Sequence, residues 1–155
     1  MSVAFRRDSD EEHLEPKFEL PIPPGPNLVT ARGLAQIEAK VIEIEARLRG
    51  LSDEAEIQTA RRDLRYWRTR QATAQIVAPP DGNTVAFGCT VLFRLNDKER
   101  SITIVGDDEA DPAKGLVSFA APLSRAMMNA SEGDLVAFAG NPDSIEILGV
   151  TAPSV

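Results

Sequence analysis

Histidine and cysteine each occur once in this chain of 155 residues, at His13 and Cys89, and aromatic side chains make up only 5% of it. A lone cysteine excludes an intrachain disulfide framework and any thiolate metal cluster. Its neighbours Phe87, Gly88, Thr90 and Val91 read as a strand, so a buried, inert thiol is expected. A lone histidine in a charged, proline-rich stretch leaves nothing to build a histidine triad or a histidine metal site. Phosphate-binding loops and complete metal-ligand sets are also missing, which makes a self-contained enzyme the weakest class. No signal peptide opens the sequence, and no apolar run approaches the roughly 18 residues needed to cross a bilayer. A cytoplasmic protein without a membrane partner is expected. The net charge of -7 argues against a free nucleic-acid binder, because such proteins carry positive charge to neutralise phosphates. With so few aromatics, the core must rest on Val, Ile, Leu and Ala.

Three segments can be distinguished. Residues 1–28 hold the acidic run from Asp8 to Glu15, then Pro16, Pro21, Pro23, Pro24 and Pro26. Such a stretch buries little apolar surface to offset its ordering entropy, so a flexible or extended tail is expected. Residues 29–78 carry two apolar seams. Leu34, Ile37, Val41, Ile44, Leu48 and Leu51 follow coiled-coil spacing, and Ile57, Ala60, Leu64, Trp67, Gln71 and Ala74 repeat it. Thr30 suits the first N-cap, Gly50 a helix C-terminus, and Ser52 the second N-cap. Two seams joined by a short turn predict an antiparallel helical hairpin, its first arm about 30 Å long at 1.5 Å per residue. Residues 79–155 open on Pro79-Pro80-Asp81-Gly82. Strand-like runs follow at Val85–Phe87, Thr90–Leu95, Ser101–Val105, Leu116–Phe119, Leu135–Phe138 and Ser144–Val150. Ala121–Asn129 reads as one short helix with Pro122 in its first turn. The predicted class is α+β: a coiled-coil hairpin, then an antiparallel sheet with one helix.

Charge is unevenly placed. Arg61, Arg62, Arg65, Arg68 and Arg70 face a single acid, Asp63, within residues 57–77. Arg61, Arg65 and Arg68 fall on one side of a helix. This stripe is either a solvated flank or a contact for a nucleic-acid backbone, since Arg suits phosphate. The turn before it carries Asp53, Glu54 and Glu56. These acids either complement the dipole of a helix start or complete the ligand set of a divalent metal held elsewhere. Residues 79–155 hold 11 acids and 5 bases. Four of those acids, Asp107, Asp108, Glu109 and Asp111, make either ordinary turns or a docking loop for a basic partner.

Specific stretches then point to a family. Ile104-Val-Gly-Asp-Asp-Glu-Ala-Asp-Pro112, Ala121-Pro-Leu-Ser-Arg-Ala126 and Glu132-Gly-Asp-Leu-Val136 resemble, in order and spacing, the C-terminal domain of the Gre transcript-cleavage factors. Leu51-Ser-Asp-Glu-Ala-Glu56 resembles the family's acidic tip, and Ala74-Gln-Ile-Val77 the end of its second arm. The resemblance covers about residues 28–150. It implies an FKBP-like C-terminal domain that docks on the rim of the secondary channel of bacterial RNA polymerase, and a hairpin that enters the channel. The factor then has no cofactor and no catalytic residue of its own. Asp53, Glu54 and Glu56 help hold a shared Mg²⁺ in the polymerase centre, which hydrolyses backtracked RNA. Arg61, Arg65 and Arg68 correspond to a basic patch that guides the nascent RNA 3′ end. Asp107, Asp108, Glu109 and Asp111, with Pro122, Ser124 and Arg125 on the adjacent helix, form the docking surface. Asp53 stands where the family has an essential Glu, Gly50 stands where it has an Asp, and both arms are shorter than is usual. An alternative is therefore a secondary-channel regulator without cleavage-stimulating activity, and a third is an adaptor for another protein.

Overall fold

A computed structural model describes residues 19–78 and 80–152. The acidic run, His13 and most of the expected tail lie outside them. Two units are distinct. One holds residues 35–74 together with the described residues 19–25, and the other holds residues 26–34 and the chain from Gln75 onward. Residues 26–34, assigned from the sequence to tail and hairpin, thus belong with the sheet.

The hairpin is two helices of 20 residues each, α1 (Ala31–Gly50) and α2 (Glu54–Thr73). Their seam is the one read from the spacing. Val41, Ile44, Ala60 and Leu64 are buried together, with Leu48, Leu51 and Trp67 partly buried against them. Gln71, at the end of the second seam, is exposed. Ion pairs flank the seam, Arg68 to Glu45 at 2.6 Å and Arg47 to Asp63 at 4.0 Å. Thr30 caps α1 as expected, its Oγ1 accepting from Gly33 N at 2.9 Å. The second cap is one residue later than expected. Asp53, not Ser52, adopts the extended N-cap conformation, and its carboxylate accepts from Glu56 N at 3.0 Å. Gly50 ends α1 without a positive φ, so no left-handed turn requires glycine there.

In the second unit, β1 (Leu28–Val29) pairs in parallel with β2 (Gln75–Ile76). The segment leading into the hairpin is thereby clasped to the segment leaving it. A five-stranded sheet follows, from β3 (Thr90–Leu95), β4 (Lys98–Val105), β5 (Leu116–Ser118), β6 (Leu135–Phe138) and β7 (Asn141–Thr151), in the order β5-β4-β3-β7-β6. Alternation sends Val91 and Phe93 inward from β3, Ile102 and Ile104 from β4, and Ile145 and Ile147 from β7. Met127 of helix α3 (Pro122–Met127) joins them, fully buried. Cys89 is buried in the same core, and burial pushes its thiol pKa up, in keeping with an inert role.

Two expectations for this unit are corrected. The sheet is mixed, because β5 runs parallel to β4. Two 3-10 turns, Asp107–Glu109 and Pro112–Lys114, carry the chain back along that edge. Val85–Phe87 is no strand. Gly88 at φ 91 turns the chain just before β3, and Val85 bonds instead to Ala130 and Asn129 beside α3. No helix among the described residues is long and apolar enough to cross a membrane.

Candidate functional site

At the hairpin turn, Asp53, Glu54 and Glu56 are all exposed. Their settings differ. Asp53 is engaged through one oxygen in capping, and Glu54 Oε1 accepts from Gln58 Nε2 at 2.9 Å. Glu56 has no side-chain hydrogen bond or ion pair among the described residues. The acids are not alone, since Arg47 and Arg49 stand in the last turn of α1. Cations at a helix C-terminus and anions at a helix N-terminus both complement the backbone dipoles, so local physics favours this pairing. Arg47 and Glu56 line one shallow pocket beside the turn. Among the described residues, no three Asp, Glu, His or Cys side chains gather closely enough to hold a metal ion. Any metal met by these acids must therefore be held mainly by other ligands.

Along α2, Arg61, Arg65 and Arg68 are all exposed, as the spacing requires. Two of them already have carboxylate partners. Arg68 pairs with Glu45, and Arg65 donates to both oxygens of Glu19, at 2.5 and 2.8 Å. The Glu19 partner was not foreseeable from local sequence, because the two residues are 46 positions apart.

The acidic stretch after β4 divides. Asp107, Asp108 and Asp111 are half-exposed. Asp107 accepts from Ser118 Oγ at 2.6 Å, and Lys114 lies 4.0 Å from Asp111. Glu109 departs from the docking expectation, with only 7% of its surface exposed. Its carboxylate accepts from Thr30 Oγ1 at 2.6 Å and from Arg32 at 3.5 Å. It also lies against Gly33, where an added Cβ would come within 2.7 Å of Oε1. Glu109 thus supplies the negative charge at the start of α1 that the helix's own first turn lacks.

On α3, Pro122 and Arg125 are exposed, but Ser124 is 0% exposed and is likewise removed from the docking surface. Its Oγ has no hydrogen-bond partner among the described residues. A buried hydroxyl without a partner loses its hydration uncompensated. Ser124→Ala is therefore expected to stabilise the protein by about 1 kcal/mol, seen as a higher unfolding midpoint in urea. An unchanged or lower midpoint would show that the hydroxyl is solvated in solution.

Beside this stretch lies an apolar cavity of about 440 Å³. Ile76, Val77, Val105 and Leu116 line it, and Phe87 is its one aromatic residue among those described. The sequence offered no signal for it, because its walls come from the start of α1, from β2, β4 and β5, and from the turn before β3.

Comparison with known proteins converges on one family. The family model "Transcription elongation factor, GreA/GreB, C-term" matches residues 73–152. A Helicobacter pylori (strain G27) protein named transcription elongation factor GreA is 39% identical over 108 residues, 63% of this chain and 66% of its own length. Its namesake in Helicobacter hepaticus is 37% identical over 125 residues, 71% of this chain and 77% of its own length. The chain thus spans just under two thirds of the H. pylori relative. A solved GreA/GreB factor from Nitrosomonas europaea aligns over 83% of this chain and 99% of its own at 21% identity and a TM-score of 0.39. The matched residues take in all three stretches Ile104–Pro112, Ala121–Ala126 and Glu132–Val136, and this chain belongs to the GreA/GreB family.

Proposed function

We propose that this protein is a transcription elongation factor that binds bacterial RNA polymerase at its secondary channel and acts on backtracked complexes. The sheet unit docks at the channel rim through Asp107, Asp108 and Asp111, with Pro122 and Arg125 on the neighbouring helix. The adjacent apolar cavity is suited to take a nonpolar side chain of the partner. The hairpin enters the channel, and the turn carrying Asp53, Glu54 and Glu56 contributes oxygen ligands to a Mg²⁺ that the polymerase already holds. In a two-metal centre one ion activates the attacking water and the other stabilises the leaving oxygen. The protein itself performs no chemistry. Arg61, Arg65 and Arg68 steer the phosphates of the extruded RNA 3′ end.

The observation that carries this proposal is the exposed acidic turn at the end of a paired-helix rod, in a chain of this family. The decisive measurement adds purified protein to a stalled, backtracked elongation complex and follows RNA length, with polymerase binding measured on the same preparation. Binding together with 3′ shortening is expected. Binding without shortening selects the second reading, occupation of the channel without stimulation of cleavage, and no binding rejects both.

Two observations favour that second reading. Asp53 is partly committed to its helix cap, and Gly50 has no side chain where the family carries a second acid. Gly50→Asp tests it cleanly. A Cβ there meets nothing within 4 Å, and the backbone requires no glycine. A carboxylate at the end of α1 opposes the helix dipole by only about 0.3–1 kcal/mol. If the wild type binds without shortening RNA, Gly50→Asp is expected to gain shortening.

A further inference from the structure

The described chain begins with an acid lying on the basic stripe. Glu19 meets Arg65 through two parallel hydrogen bonds, Nε to Oε1 at 2.5 Å and Nη2 to Oε2 at 2.8 Å. Leu20 and Ile22 follow and share a shallow groove of about 390 Å³ with Tyr66, Arg68 and Thr69 of α2. The fork that Arg65 presents to Glu19 is the one arginine presents to two oxygens of a phosphate. Glu45 occupies Arg68 in turn, and Arg61 is the one stripe arginine without an ion pair among the described residues.

We infer that residues 19–22 form an intramolecular strap in which Glu19 occupies Arg65 in place of an RNA phosphate, so that a single RNA strand binds the stripe only by displacing it. This rests on the proposed RNA-guiding role of the stripe. The contact is built to yield. Both side chains are more than half exposed, and exposed ion pairs are weak and screened by salt. It is also always armed, because an exposed glutamate is charged at neutral pH, and hydrogen bonding to Arg65 lowers the Glu19 pKa further still. The occupied stripe also suits a chain whose net charge of -7 disfavours free RNA. The strap raises the threshold further and reserves the arginines for a strand presented at high local concentration.

The test is fluorescence anisotropy of a short labelled single-stranded RNA titrated with the whole chain at low salt. Glu19→Gln is expected to tighten binding about two- to fivefold, the range for loss of one exposed ion pair. The Arg61, Arg65 and Arg68 triple alanine variant is expected to lose most binding, and Glu132→Gln, an exposed acid on the sheet unit, to change nothing. Equal gains from Glu19→Gln and Glu132→Gln would reduce the effect to net charge and overturn the strap. No gain from Glu19→Gln, with binding still lost in the triple variant, would overturn the strap and leave the stripe standing. A triple variant that binds like the wild type would remove the stripe's role, and the strap with it.

Discussion

Asp53→Asn is expected to leave the hairpin folded while cutting 3′ RNA shortening by about 10- to 100-fold, the loss typical when a group supporting a metal site is removed. Asparagine caps helices as well as aspartate does, so the bond from Glu56 N survives the exchange. What disappears is one negative charge at the tip, and a neutral amide oxygen is a poorer ligand for a hard cation. Alanine is the less informative choice, because it also costs about 1 kcal/mol of cap. Running both variants separates the two roles that the sequence left open. Shortening at the wild-type rate by Asp53→Asn would leave Asp53 as a cap alone. Circular dichroism on the same samples checks that helix content is preserved.

Gly106→Ala is expected to destabilise the sheet unit by about 3 kcal/mol, a fall in Tm of roughly 10 °C. Gly106 follows β4 with an ordinary negative φ of -75, so conformation does not demand glycine. Space does. A methyl group at Gly106 would overlap the backbone carbonyl oxygen of Leu28 in β1, and that backbone, held on either side by the bonds from β2 to Asn27 and Val29, cannot step aside as a flexible side chain can. The strain should act first on β1 and β2. Hydrogen exchange at Gln75 and Val77, whose amides bond to Asn27 and Val29, should accelerate before the amides of β3 and β4 do. Gly149→Ala is the control, because a Cβ there meets nothing within 4 Å. If Gly106→Ala melts with the wild type, β1 has room to shift and the close approach is not a constraint.

Much of the fold was legible because its signals are periodic. The 3-4 spacing from Ile37 to Leu48 places the buried seam, and the alternation through Val91 and Phe93 places β3. Punctuation was less reliable. The β6–β7 turn uses Ala139 at φ 53 before Gly140, a position where alanine is unusual and therefore gives no warning. Ser52 and Asp53 are both good caps, and only the backbone decides between them. For the candidate site, exposure at the tip and along the stripe followed from helical geometry. Glu109 and Ser124 were misread because burial depends on contacts distant in sequence. Glu109 meets Thr30 from 79 positions away, and a cluster of four acids gives no hint that one of them turns inward. Two-residue strands such as β1 and β2 carry no periodicity at all.

The pairing of Leu28–Val29 with Gln75–Ile76 has a bearing on how such proteins diversify. It closes residues 30–74 into a cassette whose two ends are fixed side by side. Inserting or deleting matched heptads in both helices changes the length by about 10 Å per heptad while the points of attachment keep their spacing. Arm length can thus drift through evolution, or be set by an engineer, without redesigning the base that carries it.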